Sequence, residues 1–160
     1  MFMVNVLFVC LGNICRSPMA EGVFLQLVKE AGLEGKVTAD SAGTASFHIG
    51  SRPDFRTLKV CTNNNIELVH MARAFKVDDY AHFDYIIPMD LTNKKNVLAL
   101  THPASKAHVI CFGEFTEPFQ AIEIPDPYYG GMDGFRLIYK MLQEHCNLLL
   151  QHIIDNHELK

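Results

Sequence analysis

A cysteine and an arginine with five residues between them carry the clearest chemistry in the chain. They sit in Cys10-Leu11-Gly12-Asn13-Ile14-Cys15-Arg16-Ser17-Pro18, between an apolar run and a stretch of helical periodicity. A loop of that length between a strand and a helix can curl around a tetrahedral oxyanion, with successive backbone N–H groups turned inward as an anion nest. Gly12 and Asn13 are residue types that tolerate a left-handed backbone, which such a curl needs. Ser17 is expected to be the helix N-cap and Pro18 the first helical residue. The helix then starts just after Arg16, with the positive end of its dipole at the loop centre. Glu21 falls one residue too late for a strict capping box. The same field is expected to depress the Cys10 pKa and hold a thiolate, where a free cysteine at about 8.5 would be mostly thiol. Arg16 offers a planar fork for two oxygens of one anion. Thiolate, nest and fork are together what displacement at phosphorus requires, with Leu11, Gly12, Asn13, Ile14, Cys15 and Ser17 completing the loop. A zinc site on Cys10 and Cys15 fits poorly, because the spacing is wrong and no second ligand pair follows.

A second constellation lies far along the chain, in Ile124-Pro125-Asp126-Pro127-Tyr128-Tyr129-Gly130-Gly131. Pro125 and Pro127 bracket Asp126 and push Ile124 and Asp126 to extended conformations. A stiffened loop can hold the Asp126 carboxyl over an anion site. There it would protonate a leaving oxygen and then deprotonate an attacking water. Tyr128 and Tyr129 can wall the site beside an aromatic ring. A third sulfur-based expectation concerns Cys15. It shares the loop with Cys10, so oxidation could bring the two sulfurs into disulfide range and make Cys15 a redox partner.

These residues need a scaffold of alternating strands and helices. Val4 to Val9 reads as a buried strand, followed by a helix from about Pro18 to Ala31 with Ala20, Val23, Phe24, Leu27, Val28 and Ala31 at three- and four-residue intervals. Lys36 to Ala39 is a short strand ending in Asp40-Ser41-Ala42-Gly43. Helices are expected over Arg56 to Thr62 and Leu91 to Leu100, and strands over Phe83 to Met89 and Ala107 to Phe112. Gly113 to Gly134 is punctuated by Pro and Gly and reads as loop. A last helix is expected from about Phe135 to Ile154, with Phe135, Ile138, Leu142, Leu149 and Ile153 on one face. Such alternation implies parallel pairing with right-handed crossovers, and ligands at the carboxyl ends of the strands.

The 160 residues suit one domain spanning 1–160. Apolar residues make up 49% and charged residues 20%, enough for a full core. The net charge of −4 and a longest basic cluster of Lys94-Lys95 exclude a nucleic-acid-binding stripe, so attraction for an anion must be local. No run reads as a membrane span or export signal. Five unframed cysteines favour a reducing compartment, so the protein is expected to be cytoplasmic.

Taken together, the motifs resemble those of low-molecular-weight protein tyrosine phosphatases. The string from Cys10 to Pro18 matches that family's signature loop without a gap, and Asp126-Pro127-Tyr128-Tyr129-Gly130 matches its general-acid loop. Asp40-Ser41-Ala42-Gly43-Thr44, His70-Met71-Ala72-Arg73, Phe83-Asp84-Tyr85-Ile86 and Met89-Asp90 follow in the same order. The resemblance implies a three-layer α/β/α fold with a four-stranded parallel sheet flanked by helices. It implies hydrolysis of phosphotyrosine or small aryl phosphates through a cysteinyl-phosphate on Cys10, with Arg16 and Asp126, and with no metal or other cofactor. It further implies that Ser17 donates to the Cys10 sulfur and that Asn13, Ser41 and His70 form a buried network shaping the loop. Phe47, followed by His48, takes the place of an aromatic that sets specificity. The expected partners are phosphotyrosine proteins or aryl phosphates, met by a monomer without nucleic acid or membrane. Pro88, Pro103 and Asn63-Asn64-Asn65 depart from the family pattern; Asn can replace glycine there because it tolerates a left-handed backbone.

Three other activities compete. Arsenate reduction needs a further pair of close cysteines, whereas Cys61, Cys111 and Cys146 are far apart in sequence. Family members that dephosphorylate phosphoarginine carry Thr where this chain has Ile14. A phosphoprotein-binding module without turnover does not need Cys10, Arg16 and Asp126 all intact.

Overall fold

The structure is a computed structural model that describes residues 2–100, 102 and 105–159; Pro103 lies outside the described residues. Four parallel strands pair in the order β2-β1-β3-β4: β1 (Val4–Cys10), β2 (Val37–Gly43), β3 (Tyr85–Pro88) and β4 (His108–Val109). The helices are α1 (Arg16–Glu30), α2 (Phe55–Asn63), α3 (Asp79–His82), α4 (Leu91–Leu98) and α5 (Met132–His157).

The side-chain alternation of β1 divides the core between two layers. Val4, Val6, Phe8 and Cys10 face a large cluster with Met19, Phe24, Val60, Phe135, Ile138 and Leu142, from α1, α2 and α5. Leu7 and Val9 face a smaller cluster with Phe75, Tyr80, Ile86 and Val97, against α3 and α4. Both faces of the sheet are therefore covered, which is why β1 reads as a nearly continuous apolar run. Each fully buried Leu, Ile or Phe contributes about 1.5–3 kcal/mol. The α5 stripe of Phe135, Ile138, Leu142, Leu149 and Ile153 is buried as its spacing predicts, and Cys146 joins it.

Several boundaries differ from the sequence reading. β2 runs on to Gly43 because its ladder with β1 continues through Ser41 opposite Phe8 and Gly43 opposite Cys10. β4 shrinks to two residues, although Phe112 beyond it stays fully buried. α5 starts three residues earlier and ends three later than its apolar face suggests. α3 is a single turn, too short to show a period. Asn65 adopts φ +59°, the left-handed backbone anticipated for that turn. Pro88 closes β3 opposite Val9, and the next N–H, of Met89, donates to the Val9 carbonyl at 2.8 Å. The carboxyl ends of β1, β2 and β3 thus converge on the loop that follows Cys10.

Candidate active site

Residues 10 to 15 form a tight loop between β1 and α1, and its shape is held from outside. Gly43, paired with Cys10, lies so close that a Cβ there would sit 2.7 Å from the Leu11 carbonyl oxygen. Thr44 and Ala45 donate backbone N–H groups to the Cys10 and Leu11 carbonyls, each at 2.9 Å. Asp54 N–H donates to the Ile14 carbonyl at 2.8 Å. With the carbonyls tied outward, the N–H groups of Leu11, Gly12, Ile14 and Cys15 have no acceptor among the described residues. All four residues line one cavity of about 100 Å³ together with Cys10, Arg16, Phe47, His48, Asp126, Tyr128 and Tyr129. Unpaired donors around a small cavity call for an anionic ligand.

Two local expectations fail here. The helix begins at Arg16 with Cys15 at the cap position, and Ser17 makes no capping bond. Its hydroxyl turns to the Cys10 sulfur at 3.0 Å and accepts from Asn13 Nδ2 at 2.8 Å. Pro18 falls inside the first turn, where its missing N–H costs nothing because those N–H groups have no intrahelical partner. Only Asn13 takes the left-handed backbone, at φ +59°. Gly12 leaves space instead: a Cβ there would lie 3.0 Å from His48 Cδ2, and that ring would have to shift to admit it.

Asn13 is the keystone of the loop. Its Nδ2 donates to Ser17 Oγ and to Ser41 Oγ at 3.0 Å, while its Oδ1 accepts from Arg73 N–H at 3.0 Å and faces His70 Nε2 at 2.7 Å. The Oδ1 can only accept, so Nε2 of His70 carries a proton. The other ring nitrogen, Nδ1, faces Glu21 Oε1 at 3.2 Å, and Ser41 donates to the same oxygen at 2.7 Å. One proton is therefore shared between Nδ1 and Glu21. Burial raises the Glu21 pKa to about 7 and lowers that of His70, so both groups favour their neutral forms. Glu21, Asp40 and His70 bring ligand-type atoms within 4.8 Å of one another, but Arg73 and Ser41 already pair with the two carboxylates.

Arg16 is 3% exposed and firmly aimed. Its Nη1 donates to Asp90 Oδ2 at 2.6 Å and to the Ile124 carbonyl at 3.0 Å. That consumes both Nη1 protons and leaves the Nε–Nη2 edge for a bidentate ligand. Nη2 lies 3.8 Å from Asp126 Oδ2, so the fork and the carboxyl share one mouth. Asp126 is 40% exposed at its side chain, and its Oδ1 accepts from Tyr128 N–H at 3.1 Å.

The rim is aromatic. Phe47 is 78% exposed, which excludes a core role, and Tyr129 is 93% exposed. Tyr128 packs edge-on against Tyr129 with ring centroids 5.0 Å apart and lies 6.2 Å from His48. Cys15 is buried; its thiol is pushed well above the ordinary cysteine range by burial and by nearby Asp54, Cys10 and Asp126.

Sequence reasoning missed Asp90, Glu21, Arg73, Asp54 and Arg56 as parts of this assembly. Asp90 had a usable signal, since it follows the carboxyl end of a strand, where α/β sheets bind ligands. Asp54 had another, as an N-cap type directly after Pro53 at the head of a helix.

Comparison with known proteins places the chain among phosphatases. A family model described as low molecular weight phosphotyrosine protein phosphatase matches residues 5–159. The low molecular weight phosphotyrosine protein phosphatase of Schizosaccharomyces pombe is 47% identical over 151 residues, covering 94% of this chain and 97% of that one. The crystal structure of YfkJ from Bacillus subtilis matches with a TM-score of 0.89 at 37% identity over 98% of each chain. A Drosophila arginine phosphatase, DARP, matches with a TM-score of 0.82 at 33% identity over 92% of this chain and 96% of that one.

Proposed function

Because the chain belongs to the low-molecular-weight phosphotyrosine protein phosphatase family and is an enzyme of that kind, we propose that it hydrolyses phosphotyrosine and small aryl phosphates with Cys10 as nucleophile, Arg16 as anion clamp and Asp126 as acid and base. The observation that carries this assignment is a single cavity lined by a sulfur, four residues with unpaired N–H groups, an anchored guanidinium and a carboxyl group. Asn13 N–H lies 3.3 Å from the sulfur, and the Ser17 hydroxyl proton can reach it at 3.0 Å. Donors to sulfur stabilise the thiolate more than the thiol.

A phosphate dianion in the cavity puts its oxygens against the unpaired N–H groups and the Nε–Nη2 edge of Arg16, which also meet the charge that develops in the transition state. The sulfur attacks phosphorus as the P–O bond to the phenol breaks. The departing electron pair takes a proton from Asp126. In the second step Asp126 removes a proton from water, the water oxygen attacks phosphorus, the S–P bond breaks and the thiolate is restored. Phe47, Tyr128 and Tyr129 would flank the substrate ring. Cys15, held as a neutral thiol, does not compete as a nucleophile at phosphorus; it lines the same cavity as Cys10, and a redox partnership with an oxidised Cys10 requires its thiol to give up that proton first. A thiolate mechanism suits a reducing compartment, and we place the enzyme in the cytoplasm as a monomer; among the described residues no helix is long and apolar enough to cross a membrane.

Turnover of para-nitrophenyl phosphate without added metal, followed by acid quench with labelled substrate, is expected to trap phosphate on Cys10; Cys10→Ser folds but retains less than about 1% of the activity. Phosphate trapped elsewhere, or none trapped, refutes the assignment. Phosphoarginine peptide and arsenate with thioredoxin are expected to give no comparable turnover. Ile14 places no hydroxyl in the cavity, and burial pushes Cys61 up to about 11 and Cys111 up to about 12, ill-suited to a thiol relay.

A further inference from the structure

Arg56 stands at the second position of α2, outside the cavity lining, yet its guanidinium makes four hydrogen bonds. Nε and Nη2 donate to the two carboxylate oxygens of Asp54, each at 2.9 Å. Nη1 donates to the Gly130 carbonyl at 2.7 Å and Nη2 to the Tyr128 carbonyl at 3.0 Å. The guanidinium carbon lies 4.4 Å from the centroid of Phe135, in the first turn of α5. The bidentate contact also holds Asp54 below the usual carboxylate range, so the pair stays charged.

Both ends of this contact lead to the chemistry. Asp54 donates its backbone N–H to the Ile14 carbonyl, and Thr57 Oγ1 donates to the Cys15 carbonyl at 3.3 Å. The first turn of α2 is thus fixed to the loop that holds the anion. At the other end, Tyr128 and Gly130 lie two and four residues beyond Asp126. Among the described residues, every other hydrogen bond made by residues 125–131 stays within that loop or reaches only Gly134: Tyr128 N–H to Asp126, Gly130 N–H to Pro127 and Gly134 N–H to Gly131. The Arg16–Asp126 approach, at 3.8 Å, is longer than a hydrogen bond. The loop is anchored at its start by Ile124, whose N–H donates to the Met89 carbonyl and whose carbonyl accepts from Arg16; beyond Ile124, among the described residues, Arg56 is the hydrogen-bonding group from outside that ties residues 125–131 to the rest of the molecule.

We propose that Arg56 is a positioning residue that latches the Asp126 loop to the anion-holding loop, so that protonation of the leaving group depends on it while phosphate binding does not. The proposal rests on Asp126 being the general acid. It follows from geometry: a carboxyl displaced by about 1 Å loses on the order of 10²-fold in rate, whereas the N–H cradle and Arg16 have their own supports.

The test uses a series of aryl phosphates from dinitrophenyl to unsubstituted phenyl, with inorganic phosphate as inhibitor. Arg56→Ala is expected to lower kcat/KM for phenyl phosphate by roughly 10–100-fold but for dinitrophenyl phosphate by less than about threefold. Inhibition by phosphate is expected to stay within about threefold, and Arg56→Lys, which restores one donor to the carbonyls, to recover part of the loss. In an Asp126→Asn background, Arg56→Ala is expected to add nothing, because the acid it positions is already absent. A uniform loss across the series, a large fall in phosphate affinity, or a further loss in the Asp126→Asn background overturns the latch. A flat leaving-group series for Asp126→Asn itself overturns the acid assignment and the latch with it. Should Arg56→Ala fold poorly, Arg56→Gln and Arg56→Lys carry the same comparison, with melting curves confirming native structure.

Discussion

The two loops that meet at the cavity are built on opposite plans. In the loop that follows β1 and the first turn of α1, Asn13 is 1% exposed and Ser17 is fully buried, and each makes at least two side-chain hydrogen bonds to distant or neighbouring groups. In the loop before α5, Asp126 is 40% exposed and Tyr129 is 93% exposed, and beyond Ile124 one arginine, Arg56, supplies the hydrogen bonds from outside among the described residues. The contrast follows from the work each must do. Donors that meet a dianion act best when they need not reorganise during the reaction, which requires them to be locked in advance. An acid that protonates a leaving oxygen and then takes a proton from water must reach both substrate and solvent. Rigidity is invested where charge is held, and access is kept where protons move.

The sharpest way to break this contrast is Arg16→Lys. The guanidinium is anchored by Asp90 and Ile124 so that a second edge faces the cavity. A lysine ammonium cannot hold both the anchor and two phosphate oxygens. Turnover of para-nitrophenyl phosphate is expected to fall by roughly 10³-fold or more, with inhibition by inorganic phosphate largely lost. Retention of more than about a tenth of the activity would mean the cradle tolerates a point charge and is less specific than its burial implies.

Asp126→Asn probes the other loop. The amide keeps the shape but cannot exchange a proton, so kcat/KM, which reports attack on the ester, is expected to fall by about 10²–10³-fold with phenyl phosphate and far less with a good leaving group. Steady-state kinetics across the leaving-group series separates the two loops: the Arg16 defect is uniform, the Asp126 defect graded. Equal slowing for every ester would erase the distinction between a holding loop and a proton-moving loop.

How much of this was legible in sequence depends on whether the interaction is local. β1 and α1 stand out because a bounded apolar run and a three–four repeat are local patterns, and Cys10, Arg16 and Asp126 lie in short diagnostic strings. The partners that aim them do not. Asp90 is 74 residues from Arg16, and Arg56 reaches carbonyls 72 and 74 residues away. Ser17 has the composition and position of an N-cap, but the sulfur draws its hydroxyl away. Gly12 looks like a residue chosen for its backbone, and only the His48 ring beside it reveals a steric reason. Propensity rules describe a chain free of its own active site, and they failed where side chains had been recruited to one.

The smallest expected effect concerns the support beneath the rigid loop. Glu21 is buried under Ser41 and His70, and burial raises its pKa from 4.5 to about 7 in the folded state. A folded pKa above the unfolded one means the native state binds the extra proton. The stability this gives is fully present below about 4.5 and is lost as pH rises through about 7. His70 acts in reverse: burial lowers its pKa, so its contribution is present at higher pH and fades on acidification. The informative quantity is therefore the difference between wild type and Glu21→Gln, which removes the carboxyl titration and leaves an amide against His70 Nδ1. Urea unfolding at pH 4.5 and pH 8 is expected to show that difference shifting against wild type by roughly 1–3 kcal/mol on going to the higher pH. A neutral Glu21 also keeps negative charge away from a cavity that must accept a dianion, so the same titration is expected to weaken phosphate inhibition slightly above pH 7 in wild type but not in Glu21→Gln. A pH-independent difference in both readouts would mean that Glu21 is ionised throughout, and that the rigid loop tolerates a buried charge beneath its anion site.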